Sequence, residues 1–267
     1  VKVIANGIAQ EYLRLGNGPP LVLIHALGLD RRLWVKQVED LSASCTVIAY
    51  DVRGHGESDV PAGPYTISDM ADDLAGLLDS LGIESAHLAG LSMGGMVAQE
   101  FALSYPNRVR SLVLADTTSE YNQEARRLFA ERARIAEERG LLPLVEATLD
   151  RWFTPEFRQS RPEEVERIRY ILEQTDQYGY AAACRAIGRV DFTERLVAIQ
   201  APTLVLVGSE DPSTPPEMAL KIHEYIPGSQ YLVVNGASHL TNVARPVQFN
   251  NAVLATVRRG EPPAGSD

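Results

Sequence analysis

Ala86-His87-Leu88-Ala89-Gly90-Leu91-Ser92-Met93-Gly94-Gly95 joins a short apolar run of strand character to Met96-Val97-Ala98-Gln99-Glu100-Phe101-Ala102, which reads as a buried helix. The pattern is strand, sharp turn, helix, with a serine at the apex. A serine held in a strained turn leaves no room for a Cβ two residues before or two residues after it, which explains Gly90 and Gly94. The hydroxyl is then presented at the carboxyl end of the strand, facing the amino end of the next helix, where free N–H groups favour developing negative charge.

Further short, unbroken apolar runs surround this one: Leu21 to Ile24, Val47 to Tyr50, Leu112 to Ala115, Leu204 to Val207 and Leu232 to Val234. Continuous rather than alternating hydrophobicity means burial on both faces, so these segments predict a mostly parallel sheet flanked by helices, an α/β class. Ligands in such sheets bind beyond the carboxyl ends of the strands. His25, Asp51, Ser92 and Asp116 each follow one of the runs, which gathers polar groups on that edge. Ahead of the sheet, Val1 to Ala5 and Ile8 to Leu15 flank Asn6-Gly7, a strong hairpin-turn signal.

Between Thr117 and Gln200 the strand rhythm stops, and arginine- and glutamate-rich helical segments take over, punctuated by Pro143, Pro155 and Pro162. The expected organisation is a core of residues 1–116 and 201–258, a helical cap of residues 117–200 inserted above the carboxyl edge, and a disordered tail over 259–267 after a last helix from Pro246 to Arg258.

The chain has 267 residues and a formal net charge of −10, which offers no basic footprint for nucleic acid or an anionic membrane surface. Cys45 and Cys184 fit neither a disulfide framework nor a metal-ligand spacing and read as inert core thiols. No apolar run spans a bilayer, and Val1-Lys2-Val3 lacks a secretory signal, so a cytoplasmic location is expected. The missing initiator methionine leads us to expect trimming of the start.

A serine hydroxyl needs a base to become a nucleophile, and the base needs an orienting carboxylate. Of the five histidines, His223 reads as a surface helix residue and His87 begins the nucleophile strand at its far end. His55, in Asp51-Val52-Arg53-Gly54-His55-Gly56-Glu57-Ser58, braces a Gly-rich loop, and His25 comes too early in the chain. His239, in the loop after the last strand, remains as the base. Two aspartates satisfy the chain order Ser, Asp, His: Asp211, favoured because Pro212-Ser213-Thr214-Pro215-Pro216 fixes its loop, and Asp116 at the end of the strand after the nucleophile helix.

His25-Ala26-Leu27-Gly28, the Asp51 to Ser58 loop, Gly90 to Gly95, Gly208-Ser209-Glu210-Asp211 with Thr214-Pro215, and Gly236-Ala237-Ser238-His239 together resemble the α/β-hydrolase superfamily. Within it the chain is most similar to 3-oxoadipate enol-lactonases and related carboxylic-ester hydrolases, through Gly63 to Ile67, Asp72-Asp73-Leu74, Ala147 to Pro155 and Gly179 to Cys184. The resemblance implies a serine esterase or lactonase acting through an acyl-enzyme, with Ser92, His239 and Asp211 as the catalytic triad. It also implies an oxyanion hole made by the backbone N–H groups of Leu27 and Met93, and no metal or organic cofactor. The chain departs from the pattern at Ala26, Ser238 and Thr241, none of which is expected to touch the chemistry. Other readings on the same fold are a cofactor-free perhydrolase, a carbon–carbon bond hydrolase, or a small-molecule receptor with a slow triad.

On a helical wheel of Glu124 to Arg139, Ala125, Leu128, Phe129, Ile135 and Ala136 form an apolar stripe. Arg132 falls inside it, whereas Arg126, Arg127 and Arg134 point away. An arginine on a buried face must find an anion, either an internal acid or a substrate carboxylate, or snorkel so that its charge reaches water. Arg132, with Trp152 from the cap match, is the candidate substrate contact.

Overall fold

In the computed structural model, which describes residues 1–262, eight strands form one sheet. They are β1 (Lys2–Ala5), β2 (Ile8–Leu15), β3 (Pro20–Ile24), β4 (Thr46–Tyr50), β5 (Ala86–Leu91), β6 (Val109–Ala115), β7 (Thr203–Gly208) and β8 (Gln230–Val234). Their order is β1-β2-β4-β3-β5-β6-β7-β8. β1 and β2 pair as the hairpin that Asn6-Gly7 predicts, β2 runs antiparallel to β4, and every later pairing is parallel. The parallel strands β4, β5 and β7 are buried along their whole length, the consequence of helices on both faces.

The helices are α1 (Val35–Leu41), α2 (Ile67–Ser80), α3 (Met93–Ser104), α4 (Gln123–Arg139), α5 (Leu142–Trp152), α6 (Pro155–Ser160), α7 (Pro162–Glu173), α8 (Gln177–Ile187), α9 (Pro216–Tyr225), α10 (Thr241–Ala244) and α11 (Pro246–Gly260). α2 opens with a reciprocal capping box between Thr66 and Asp69. α4 to α8 all lie in the segment between β6 and β7. The chain winds from β3 outward to β4, then crosses back over β3 to β5, so the direction of winding reverses between β3 and β5. A crevice opens beyond the strand ends at such a reversal, and Leu27 and Ser92 stand on its two sides.

The inserted segment is fastened to the core at several points. Thr175 Oγ1 donates to the Gly28 carbonyl at 2.8 Å, Arg167 donates to the Arg32 carbonyl at 2.9 Å, and Lys36 pairs with Glu164 at 2.6 Å. Gly54 lies so close to α8 that a Cβ added to it would stand 2.8 Å from the Gly179 Cα.

The end of the chain differs from expectation. α11 continues through Arg259 to Gly260, and Glu261 Oε1 accepts hydrogen bonds from His87 Nε2 at 2.9 Å and Arg110 at 3.1 Å. Residues 259–261 are therefore anchored beneath the amino ends of β5 and β6, and the remainder of the expected tail, 263–267, lies outside the described residues. Among the described residues no helix is long and apolar enough to cross a membrane, and no group of His, Cys, Asp and Glu is placed to hold a metal ion.

Candidate active site

Ser92 joins β5 to α3 with φ 56° and ψ −115°, a left-handed conformation that costs energy for a residue with a Cβ. The neighbours hold it there: its N–H donates to the Ala115 carbonyl at 2.9 Å, and its own carbonyl accepts from Thr117 Oγ1 at 2.7 Å and Gly95 N at 2.9 Å. A Cβ on Gly90 would fall on the Gly94 carbonyl, and one on Gly94 would fall on the Ile24 carbonyl. Both glycines are thus steric requirements of the turn.

His239 Nε2 lies 2.9 Å from Ser92 Oγ, and His239 Nδ1 lies 2.7 Å from Asp211 Oδ2. The loop after β7 shapes Asp211 by local bonds: Oδ1 accepts from Ser213 N at 2.8 Å and Thr214 N at 3.2 Å, and Oδ2 accepts from Thr214 Oγ1 at 2.8 Å. Burial pulls the imidazole of His239 toward its neutral form, but the charge and hydrogen bond of Asp211 outweigh it, with Asp116 adding to them, and hold the ring above the ordinary histidine value.

Asp116 makes no hydrogen bond to His239. It is fully buried and accepts instead from Gly208 N at 2.9 Å and from Thr241 Oγ1 at 2.6 Å. Of the two aspartates left open by chain order, only Asp211 touches the imidazole.

The backbone N–H groups of Leu27 and Met93 donate to no group among the described residues. Leu27 follows β3 and Met93 opens α3, so both flank the crevice in which Ser92 stands. The His25 ring fixes the first of these loops: Nε2 accepts from Val52 N at 2.9 Å and Nδ1 contacts the Ala26 carbonyl at 2.9 Å. Burial pushes this imidazole down to about 4, so it stays neutral and cannot serve as an ion. His55 packs against it with ring centroids 5.2 Å apart and reaches the Arg53 carbonyl, the bracing role expected of it. His223 is half-buried rather than a free surface residue, tied to Ser229 Oγ at 2.8 Å.

Above the serine lies a cavity of about 340 Å³, with Leu27, Ser92 and His239 at its floor and Met96, Tyr121, Phe129, Trp152 and Tyr180 among its walls. Arg132 lines it, stacked over the Phe129 ring at 5.0 Å, and has no acid within salt-bridge distance among the described residues. Among the described residues Arg132 therefore forms no internal ion pair. The wheel placed the residue correctly but misplaced part of the stripe: Leu128 is 54% exposed at the cavity mouth, Ile135 is half-buried, and α4 buries Ala133 and Ala136.

Arg151, which sequence reasoning passed over, lines the same cavity. It donates to Thr148 Oγ1 at 3.1 Å, has no carboxylate partner among the described residues, and is pulled down to about 10 by burial and by the nearby Arg132 charge. Its neighbour Trp152 was the only signal, since an arginine next to a pocket aromatic falls on the same helix end. By contrast, Arg134, Arg158, Arg169 and Arg185 are each paired with glutamate or aspartate.

Two departures from the family pattern act as joints. Ser238 Oγ lies 2.7 Å from the Arg151 carbonyl and 3.1 Å from that of Glu210, and Leu240 N donates to the Trp152 carbonyl at 3.4 Å. Thr241 binds Asp116.

The family described as the α/β hydrolase fold matches residues 19–246. The chain is 35% identical to 3-oxoadipate enol-lactonase 2 of Acinetobacter baylyi over 257 residues, which is 96% of this chain and 95% of that one. The crystal structure of the enol-lactonase from Burkholderia xenovorans superposes with a TM-score of 0.93 at 33% identity, covering 97% of this chain and all of the other. A thermophilic esterase from Thermogutta terrifontis, studied with malate bound, also gives 0.93 at 35% identity, covering 98% and 99%. With the fold, the strand order and the end-to-end likeness in agreement, the chain belongs to the α/β-hydrolase family and is an enzyme of the carboxylic-ester hydrolase type.

Proposed function

We propose that the protein hydrolyses an ester or lactone that carries a carboxylate, by a Ser92–His239–Asp211 triad and without a cofactor. The observation that carries this reading is a hydrogen-bonded Ser–His–Asp relay at the floor of a cavity whose wall holds two arginines with no acid partner among the described residues. His239 takes the Ser92 proton as Oγ attacks the carbonyl carbon, and the oxyanion forms toward the N–H groups of Leu27 and Met93, each worth about 3 kcal/mol in such sites. Collapse of the tetrahedral species breaks the bond to the leaving alcohol or enol, which receives the proton from His239. Water, deprotonated by His239, then attacks the acyl-Ser92 ester and releases the acid and the free serine.

A half-buried guanidinium facing a largely apolar cavity gains from meeting an anion, so the Arg132 and Arg151 charges favour a carboxylate on the part of the substrate that fills the cavity. The Acinetobacter and Burkholderia relatives are named as enol-lactonases, and the Thermogutta esterase was found with a dicarboxylate. The test is a comparison of p-nitrophenyl acetate, a neutral lactone and a carboxylate-bearing enol-lactone. The reading expects turnover of all three, with the highest kcat/KM for the anionic substrate. Binding of lactones without turnover of any would make the protein a receptor, and a flat preference across charge would remove the carboxylate from the proposal.

A further inference from the structure

Asp116 follows the last residue of β6 in a left-handed conformation, φ 46°, and its side chain is fully buried without taking part in the relay. One carboxyl oxygen accepts the N–H of Gly208, the last residue of β7 and three before Asp211. The other meets Thr241 at Oγ1, 2.6 Å away, and at N, 3.3 Å away, two residues after His239. A single side chain thus reaches the root of the acid loop and the exit of the base loop. We propose that Asp116 is a positioning residue, a strut that sets the distance from Asp211 to His239 and from His239 to Ser92. The inference rests on the triad reading above.

The groups that face the strut are Asp211 and His239, with Arg151 acting on His239 from the inserted helices. Burial and the Asp211 charge push the Asp116 carboxyl up to about 8, so it takes up a proton far more readily than an ordinary carboxyl, and its protonated form can donate to Thr241 Oγ1. Asparagine keeps the neutral charge and the two shorter bonds, its oxygen accepting from Gly208 N and its NH2 donating to Thr241 Oγ1, and gives up only the 3.3 Å bond from Thr241 N. Alanine reproduces neither bond.

The experiment compares Asp116→Ala, Asp116→Asn, Thr241→Val and the Asp116→Ala/Thr241→Val double variant with the wild type. It measures kcat and KM on a short p-nitrophenyl ester and the rate at which a fluorophosphonate labels Ser92. Loss of a buried hydrogen-bonded strut should lower kcat and the labelling rate about tenfold in Asp116→Ala with KM held within about twofold, and Asp116→Asn should recover to within about threefold of wild type. Thr241→Val should fall between, and the double variant should be no worse than Asp116→Ala, because both remove the same strut. A folded Asp116→Ala with wild-type kcat, an effect on KM alone, or additive losses in the double variant would overturn the proposal. If Asp116→Ala does not fold, unchanged kcat in Thr241→Val overturns it equally. Failure of the triad reading is separately visible, as wild-type protein whose Ser92 is not labelled or as activity that survives Ser92→Ala.

Discussion

His239 Nε2 stands 2.9 Å from Ser92 Oγ although 147 residues of chain separate them. The serine comes from the turn after the central strand β5 and the histidine from the loop after the edge strand β8, so the contact forms only when the whole parallel sheet is assembled. Ser92→Ala removes the nucleophile without disturbing the backbone, and esterase activity should fall by several orders of magnitude while the thermal unfolding midpoint stays close to wild type. Substantial residual turnover would move the nucleophile elsewhere.

Asp211→Asn should be far more damaging than Asp116→Asn, because only Asp211 touches the imidazole. It should also move the pH profile. Asp211 is the main reason His239 protonates above the ordinary histidine value, and activity requires the neutral ring, so the acidic limb of wild-type kcat/KM should lie above pH 6.5. In Asp211→Asn that limb should shift to lower pH. A limb that stays in place would assign the carboxylate to another residue.

Arg132→Leu and Arg151→Leu separate substrate charge from chemistry. Each should raise KM for a carboxylate-bearing lactone by about tenfold or more, the scale of a charge-assisted hydrogen bond, and leave p-nitrophenyl acetate hydrolysis nearly unchanged. Equal effects on both substrates would take that arginine out of the binding site.

Glu261→Ala tests the anchored chain end. The carboxylate meets His87 and Arg110 at the amino end of β5, the opposite end from Ser92. Its loss should lower unfolding stability by about 1 kcal/mol in chemical denaturation and leave kcat/KM unchanged. His87 and Arg110 hold this carboxyl below its ordinary value against the pull of burial, so the contribution is present above pH 4.5 and is lost as acid protonates the group. The gap between wild type and variant should accordingly narrow in acid.

Much of this architecture is legible in the sequence because the physics involved is local or periodic. Unbroken apolar runs report double-sided burial, and Gly90 reports a turn whose steric demand acts within four residues, although Gly94 answers to the distant Ile24 carbonyl. What escaped reading depends on partners far apart in the chain. Arg151 resembles any other arginine of the inserted segment until the fold shows which helix faces look at the cavity and which guanidinium groups meet no acid. Ser238 and Thr241 look incidental until Arg151 and Asp116 are brought to them. Arg258-Arg259-Gly260 reads as a helix end leading to a loose tail, and nothing nearby announces that Glu261 will meet a histidine 174 residues earlier.

The Ser238 contact with the Arg151 carbonyl, together with the Leu240 bond to the Trp152 carbonyl, makes the end of α5 part of the scaffold of His239. The helices that choose the substrate and the loop that moves its protons therefore do not form exchangeable modules. A chimera that grafts residues 117–200 of this chain onto the core of a relative lacking a hydroxyl at the position of Ser238 should arrive with a displaced base and low turnover on every ester. Introducing serine at that one position of the core should recover the rate before any residue of the cavity wall is altered.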